Sequence, residues 1–290
     1  MALEQFHVSE DTVLTWLNGG VTHMDGGAMF GVVPKPLWSK KYPANENNQI
    51  ELRSDPILIQ LPGRNILLES GMGKDRLSEK AKRNFGVTEE SRVPEDLARL
   101  GLSVEDIDTV IMTHLHFDHA CGLVEETNSG PVPAFPNADI IVSRTEWNEM
   151  KHPTIRSRNT YFEENWKPAA HQVKPFDEEI EVAPGIRMIH TGGHSAGHAI
   201  IHISRGERDI WHFADILPTH AHQNVLWVLA YDDYPMDSIA KKQQYAVPAV
   251  QRSDWVLFYH DYKYRMIRWT SDGRAVEEAL FREGETPGKP

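Results

Sequence analysis

Between Thr113 and Gly122 the chain reads THLHFDHACG. Four side chains that bind metals, His114, His116, Asp118 and His119, follow directly on the apolar, β-branched run 108–113 (DTVIMT). In an extended chain residues i and i+2 point the same way, so His114 and His116 can aim at one ion. A turn at Phe117 would let Asp118 and His119 aim at a neighbouring one. Imidazole and carboxylate ligands suit Zn²⁺, and also Fe, Mn or Co. The ordinary alternative, a polar loop with merely exposed histidines, does not account for four such residues packed behind an apolar strand.

Three further segments offer ligands: T-G-G-H-S-A-G-H at 191–198, F-A-D at 213–215 and F-Y-H-D at 258–261. Each has an ordinary reading when taken alone. His194 suits a loop histidine bonded to backbone, Asp215 a helix N-cap before Ile216, and His260 a core histidine at a strand end. His198 is placed to orient a ligand. Cys121 reads as a small buried residue.

H-x-H-x-D-H followed in order by His194, Asp215 and His260 resembles the signature of the metallo-β-lactamase superfamily of hydrolases, over roughly residues 50 to 262. The resemblance implies an α/β fold, a four-layer αβ/βα sandwich of two β-sheets flanked by helices. It implies two divalent transition-metal ions, zinc first among them. His114, His116 and His194 would hold one ion, Asp118, His119 and His260 the other, and Asp215 would bridge them. Hydrolysis would then proceed by attack of a hydroxide held between the ions, with Asp118 or Asp215 moving the proton.

Within that superfamily, segment 18–38 (NGGVTHMDGGAMFGVVPKPLW) and A-D-I-L-P-T-H-A-H at 214–222 resemble the quorum-quenching N-acyl-homoserine-lactone lactonases. Organophosphate and aryl-ester hydrolases of the methyl-parathion type are the alternative on the same site. A small ester or lactone is the implied substrate, with Met24, Phe30 and His222 as candidate binding residues. The Met- and aromatic-bearing segment suits an acyl-chain pocket or a second subunit, which leaves a homodimer open. One position departs from the lactonase pattern: Pro218 stands where that group carries a tyrosine. Tyr231, Tyr234 and His222 are the nearby candidates to replace it.

A serine hydrolase is the rival class. G-H-S-A-G at 193–197 fits the nucleophile-elbow pattern G-x-S-x-G, and Ser195, Asp215 and His260 fall in the order of a triad. The elbow needs a helix behind it, and HAIIHIS at 198–204 alternates like a strand. That reading also leaves 114–119 unexplained.

Composition narrows the class further. The 290 residues carry a net charge of −12 and 25% charged residues, and the basic footprint needed to bind nucleic acid is missing. A single cysteine excludes an internal disulfide and fits a reducing compartment. Polar residues interrupt the N-terminal stretch, so no secretory leader is expected, and no apolar run is long enough to span a membrane. The expectation is a cytoplasmic protein with one domain over 1–290.

The elements that must position these residues follow from period and punctuation. Strands are predicted at 12–17, 56–61, 66–69, 108–113, 139–143, 179–182, 186–190, 198–204, 209–214 and 255–259. Helices are predicted at 75–84, 94–100, 144–151 and 237–247, with 160–171 weakly helical. Pro62-Gly63-Arg64-Asn65 marks a hairpin. Segment 18–48, rich in Gly and Pro, is expected to be long and irregular. Strands that open each half, with helices after them, suggest two sheets covered by helices.

Overall fold

The structure is a computed structural model that describes residues 3–284. Two seven-stranded sheets form its centre. The first has the spatial order Gln5–Ser9, Thr12–Trp16, Ile57–Leu61, Arg64–Leu68, Thr109–Ile111, Asp139–Ser143 and Val173–Phe176. The second runs Glu179–Ala183, Ile186–His190, Ala199–Ile203, Ile210–His212, Trp255–Leu257, Tyr264–Trp269 and Val276–Phe281.

Strand periodicity explains why four layers form. Alternate residues point to opposite faces, and here both faces are apolar. Ile57, Ile59, Ile66 and Leu68 face the second sheet and pack with its Met188, Ile201, Ile203 and Leu257. The intervening Leu58 and Leu67 face outward and pack with Leu97 and Met150 on the helices Val93–Arg99 and Arg144–Lys151. On the second sheet Ile200 and Val256 face outward, against Ala249 and Val250 of the helix Val247–Gln251. Helix, sheet, sheet and helix are the four layers of the expected sandwich.

Strand direction then decides where a site can form. Arg64–Leu68, Thr109–Ile111 and Asp139–Ser143 run parallel. In the second sheet Ile186–His190 and Ile210–His212 are both antiparallel to Ala199–Ile203, hence parallel to each other, and Trp255–Leu257 is parallel to Ile210–His212. Their carboxyl ends therefore share one edge of the sheet, the usual place for a ligand crevice in α/β folds.

Segment 18–48 is more ordered than expected. Val21–Asp25 pairs antiparallel with Gln49–Arg53, and the helices Gly26–Phe30 and Lys35–Trp38 lie between them. The two strands are separated by 23 intervening residues, so no short turn announced the pairing. Residues 160–171 form separate short 3₁₀ turns rather than a helix. The predicted helix 237–247 is one α-helix, Pro235–Lys241, running into a π-helical turn, Lys242–Ala246. No helix among the described residues is long and apolar enough to cross a membrane.

Candidate metal centre

Every candidate ligand follows the carboxyl end of a strand. The run after Thr109–Ile111 carries His114 and His116, and His116 caps a one-turn helix, Phe117–Ala120, that holds Asp118 and His119. The turn expected at Phe117 is this helix. His194 lies in the loop between Ile186–His190 and Ala199–Ile203, where Gly192 (φ 65°) and Gly193 (φ 102°) take left-handed conformations. A side chain on Gly193 would also meet Ser238 Oγ at 2.7 Å. Asp215 lies inside the 3₁₀ turn Ala214–Ile216, not at a helix N-cap, and Ala214 holds an unfavourable φ of 44° beside it. His260 follows Trp255–Leu257.

Asp215 sits at the middle of the cluster. Its Oδ2 faces His194 Nε2 at 3.3 Å and His114 Nε2 at 3.8 Å. Its Oδ1 faces His260 Nε2 at 3.3 Å and His119 Nε2 at 3.5 Å. One oxygen thus addresses each half of the cluster. His194 Nε2 lies 3.0 Å from His116 Nδ1, His119 Nε2 lies 3.1 Å from His260 Nε2, and Asp118 Oδ2 lies 3.6 Å from His260 Nε2. Three groupings bring their donor atoms within 4.8 Å of one another: His114, His116 and His194; His114, His119 and Asp215; and Asp118, His119 and His260. The structure brings together all seven residues expected from the sequence.

The outward hydrogen bonds fix what these rings present to the centre. His260 Nδ1 donates to the Arg53 carbonyl at 2.6 Å, and His194 Nδ1 donates to Asp232 Oδ1 at 2.8 Å. Carbonyl and carboxylate oxygens only accept, so both Nδ1 atoms carry a proton, which leaves Nε2 of each ring as the atom that can offer a lone pair inward. Those lone pairs converge on two carboxylate oxygens. Buried His114 Nε2 and Asp215 Oδ1 have no hydrogen-bond partner. Converging lone pairs and orphaned buried acceptors are what a bound cation would satisfy, so the donor set fits divalent metal.

Electrostatics agree. Burial, with His119 and His116 nearby, holds His114 well below the ordinary imidazole value, and burial with His194 does the same to His116. Both rings are therefore neutral at pH 7. Burial would lower His119, but Glu69, Asp215 and Asp118 outweigh it and raise it well above its ordinary value. Burial would raise Asp215, but His260, His119 and His194 hold it well below the usual carboxylate range. The carboxylates around the centre call for positive charge.

Several partners of this cluster gave no sequence signal of their own. Asp232 lies in a loop acid pair, and Arg53 contributes only backbone. Glu69, which faces His119 Nδ1 at 3.4 Å, had one usable sign: an acid that ends an apolar strand. His198 accepts from the Asp215 amide at 3.2 Å, so it orients Asp215.

A cavity of about 320 Å³ opens over the cluster, floored by His116, Asp118, His194, Asp215 and His260. Met24, Met29, Leu52, Phe85, Phe117 and Leu229 form an apolar wall, while Arg156, Asn159, Thr160 and Tyr231 supply polar groups. Met24 thus reaches the cavity, whereas Phe30 and His222 are corrections to the sequence reading. Phe30 is fully buried, stacked between Trp38 at 4.7 Å and His222 at 4.5 Å. Buried His222 donates from Nε2 to the Met29 carbonyl at 2.8 Å and meets Thr219 Oγ1 at 2.7 Å. Burial and Lys242 push its pKa down to about 3. These two rings hold the N-terminal segment in place and do not touch the cavity. Of the candidates to replace the tyrosine missing at Pro218, Tyr231 alone lines the cavity.

The serine-hydrolase alternative fails on geometry. Ser195 is fully buried, its Oγ donates to Glu146 Oε2 at 2.6 Å, and a strand rather than a helix follows its loop. Cys121 is buried against Asn165 Nδ2 and takes no part in the cluster.

Comparison with known proteins agrees with this architecture. A probable metal-dependent hydrolase from Staphylococcus aureus is 47% identical with a TM-score of 0.92, over 97% of this chain and 100% of that one. AidC, a dizinc quorum-quenching lactonase, has a TM-score of 0.78 over 98% of this chain and 99% of that one, and at 17% identity shares the fold alone. An N-acyl homoserine lactonase from Bacillus thuringiensis is 38% identical over 117 residues, 40% of this chain and 41% of that protein. The chain thus matches about two fifths of the length of the curated relatives. The family model described as the metallo-beta-lactamase superfamily matches residues 51–249, a stretch that includes six of the seven clustered residues and stops short of His260. On that match and on the sandwich that carries the cluster, the chain belongs to the metallo-beta-lactamase superfamily.

Proposed function

We propose that this protein is a dinuclear metal-dependent hydrolase that opens the lactone ring of N-acyl homoserine lactones. The observation that carries the reading is Asp215, whose two oxygens address two separate groups of histidines at the floor of a cavity with an apolar wall. His114, His116 and His194 would hold one ion, Asp118, His119 and His260 the other, and Asp215 both. Zinc suits this imidazole and carboxylate set. When bound, such ions supply Lewis acidity toward an ester carbonyl and a water acidified toward neutral pH.

The chain's own groups do the rest. Met24, Met29, Leu52 and Leu229 offer a flexible acyl chain an apolar surface. Burial, with Asp25 and Asp118 nearby, raises Tyr231 above its ordinary value, so the phenol keeps its proton at pH 7 and can donate to a substrate carbonyl. Asp118, with its side chain 16% exposed, can take the proton that water loses and return it to the departing alkoxide. The product is the ring-opened hydroxy acid, with one water consumed. The 38%-identical stretch shared with an N-acyl homoserine lactonase supports the substrate class.

The test is a panel of homoserine lactones of several chain lengths, an aryl ester and an aryl phosphotriester, ranked by kcat/KM, which measures differential transition-state binding. Protein purified without chelator should hold close to two metal ions per chain and should prefer long-chain lactones. A phosphotriester that leads by an order of magnitude would replace this reading with the organophosphate alternative. Full activity in metal-free protein would end both.

A further inference from the structure

One helix outside the cluster grips both loops that carry His114, His116 and His194. Ser143 caps the helix Arg144–Lys151: its Oγ accepts from the Glu146 amide at 3.0 Å and donates to the Gly197 carbonyl at 2.5 Å. Glu146 is fully buried. Its Oε1 accepts from the Leu115 amide at 2.8 Å and from the Tyr161 hydroxyl at 2.7 Å. Its Oε2 accepts from Ser195 Oγ at 2.6 Å. Glu149 Oε2 accepts from the Ala196 amide at 3.3 Å. Gly197 makes this approach feasible, because a Cβ there would lie 2.0 Å from the Glu146 nitrogen.

The placement is specific. Leu115 stands between His114 and His116, and Ser195 follows His194. A carboxylate only accepts, and its two oxygens here take donors from two different loops. An apolar residue at 146 would complete the helix layer as well, but would leave the Leu115 amide and Ser195 Oγ without this acceptor. Tyr161, the third donor, also lays its ring 5.2 Å from that of His116.

We propose that Glu146 is a positioning residue that fixes the spacing of His116 and His194, whose ring nitrogens lie 3.0 Å apart, and so sets the affinity of the site they share with His114. The inference rests on the reading of those three histidines as ligands of one ion.

Cobalt(II) titration against a chromophoric chelator tests it, with unfolding temperature measured alongside. Wild type should take up two equivalents. Glu146→Ala should weaken one of them about 10–100-fold, the usual cost of losing a group that orients metal ligands, and shift the visible cobalt bands. Glu146→Gln keeps an oxygen for Leu115 and Tyr161 and an amide that Ser195 Oγ can accept from, so it should recover most of that loss. Ser195→Ala removes one arm only and should weaken the same equivalent by a smaller factor; it decides the matter if Glu146→Ala does not fold. Gln172→Ala is the control for general destabilisation, since buried Gln172 bonds the Phe135 and Ala138 carbonyls and touches neither loop. It should lower the unfolding temperature and leave cobalt affinity unchanged. Wild-type affinity in both Glu146→Ala and Ser195→Ala would overturn the proposal, as would an equal loss of affinity in Gln172→Ala. Wild type that binds no cobalt would overturn the metal reading itself, a result distinct from any difference among the variants.

Discussion

Lys242 offers a measurement whose size follows from the structure. It lies in the π-helical turn Lys242–Ala246, and its Nζ donates to the carbonyls of His222 at 2.6 Å, Asn224 at 2.9 Å and Trp227 at 2.9 Å. These bonds tie down the stretch that leads to Leu229 and Tyr231 in the cavity wall. Burial pushes the Lys242 amine from 10.5 down to about 7, against the pull of Asp232. Between those values the unfolded chain keeps a proton that the folded lysine has lost, so stability rises with pH across the window. From pH 7 to 9 the unfolded lysine stays protonated while the folded one goes from about half to almost none, an effective span of about 1.7 pH units. At about 1.4 kcal/mol per unit, the gain is about 2 kcal/mol.

Lys242→Met removes the titration and keeps the length of the stem. Urea unfolding of both proteins at pH 7, 8 and 9, in constant chelator so that metal does not contribute, gives the difference in stability at each pH. That difference, wild type minus variant, should widen by about 2 kcal/mol from pH 7 to 9. Groups shared by both proteins cancel. A difference that stays flat to within about 0.5 kcal/mol would refute the reasoning. It would mean that three carbonyl dipoles, which match the three donors of an ammonium, hold the proton on the folded lysine.

The remaining expectations concern the centre and its support. Asp215→Asn keeps the shape of the side chain at the middle of the cluster and removes its charge; hydrolysis should fall by more than the roughly 10–100-fold cost of an outer partner, with the fold intact by circular dichroism, while His152→Ala should be nearly silent. Asp232→Ala takes the acceptor from His194 Nδ1 and should weaken one of two metal equivalents about 10–100-fold in a chelator competition, and unchanged affinity would remove Asp232 from the site's support. Phe30→Ala empties a fully buried aromatic stack and should cost about 3–5 kcal/mol in urea unfolding without changing metal content; a rise in KM with stability unchanged would return Phe30 to the substrate pocket.

Local pattern carried the candidate ligands because short-range geometry did most of the placing. His114, His116, Asp118 and His119 lie on a strand exit and one helical turn, so their spacing alone put them within reach of a common centre. His194, Asp215 and His260 came from order and context, and the shared direction of the three strands they follow in the second sheet is what made that order spatially meaningful. The supporting groups had no such pattern. The Arg53 carbonyl reaches His260 from the end of the strand Gln49–Arg53, whose partner Val21–Asp25 lies 23 intervening residues away, a pairing that no turn motif advertises.

The misplaced pocket residues follow from the same limit. Met24 and Met29 share the Gly-rich segment with Phe30, and composition cannot say which of its apolar side chains face a cavity. The distinction is set by the pairing with Gln49–Arg53 and by His222, whose bond to the Met29 carbonyl pins one face of the Gly26–Phe30 helix against residues 219–222. Phe30 stacks between Trp38 and His222 and is core, while Met29, buried in the same cluster, also lines the cavity wall. Likewise Ser195 matched a nucleophile pattern in sequence because five residues in a row cannot reveal that a buried carboxylate 49 positions earlier holds the hydroxyl. The candidate site was legible where its residues sit within one turn of backbone. It became visible only in three dimensions where a side chain's meaning depends on a distant acceptor.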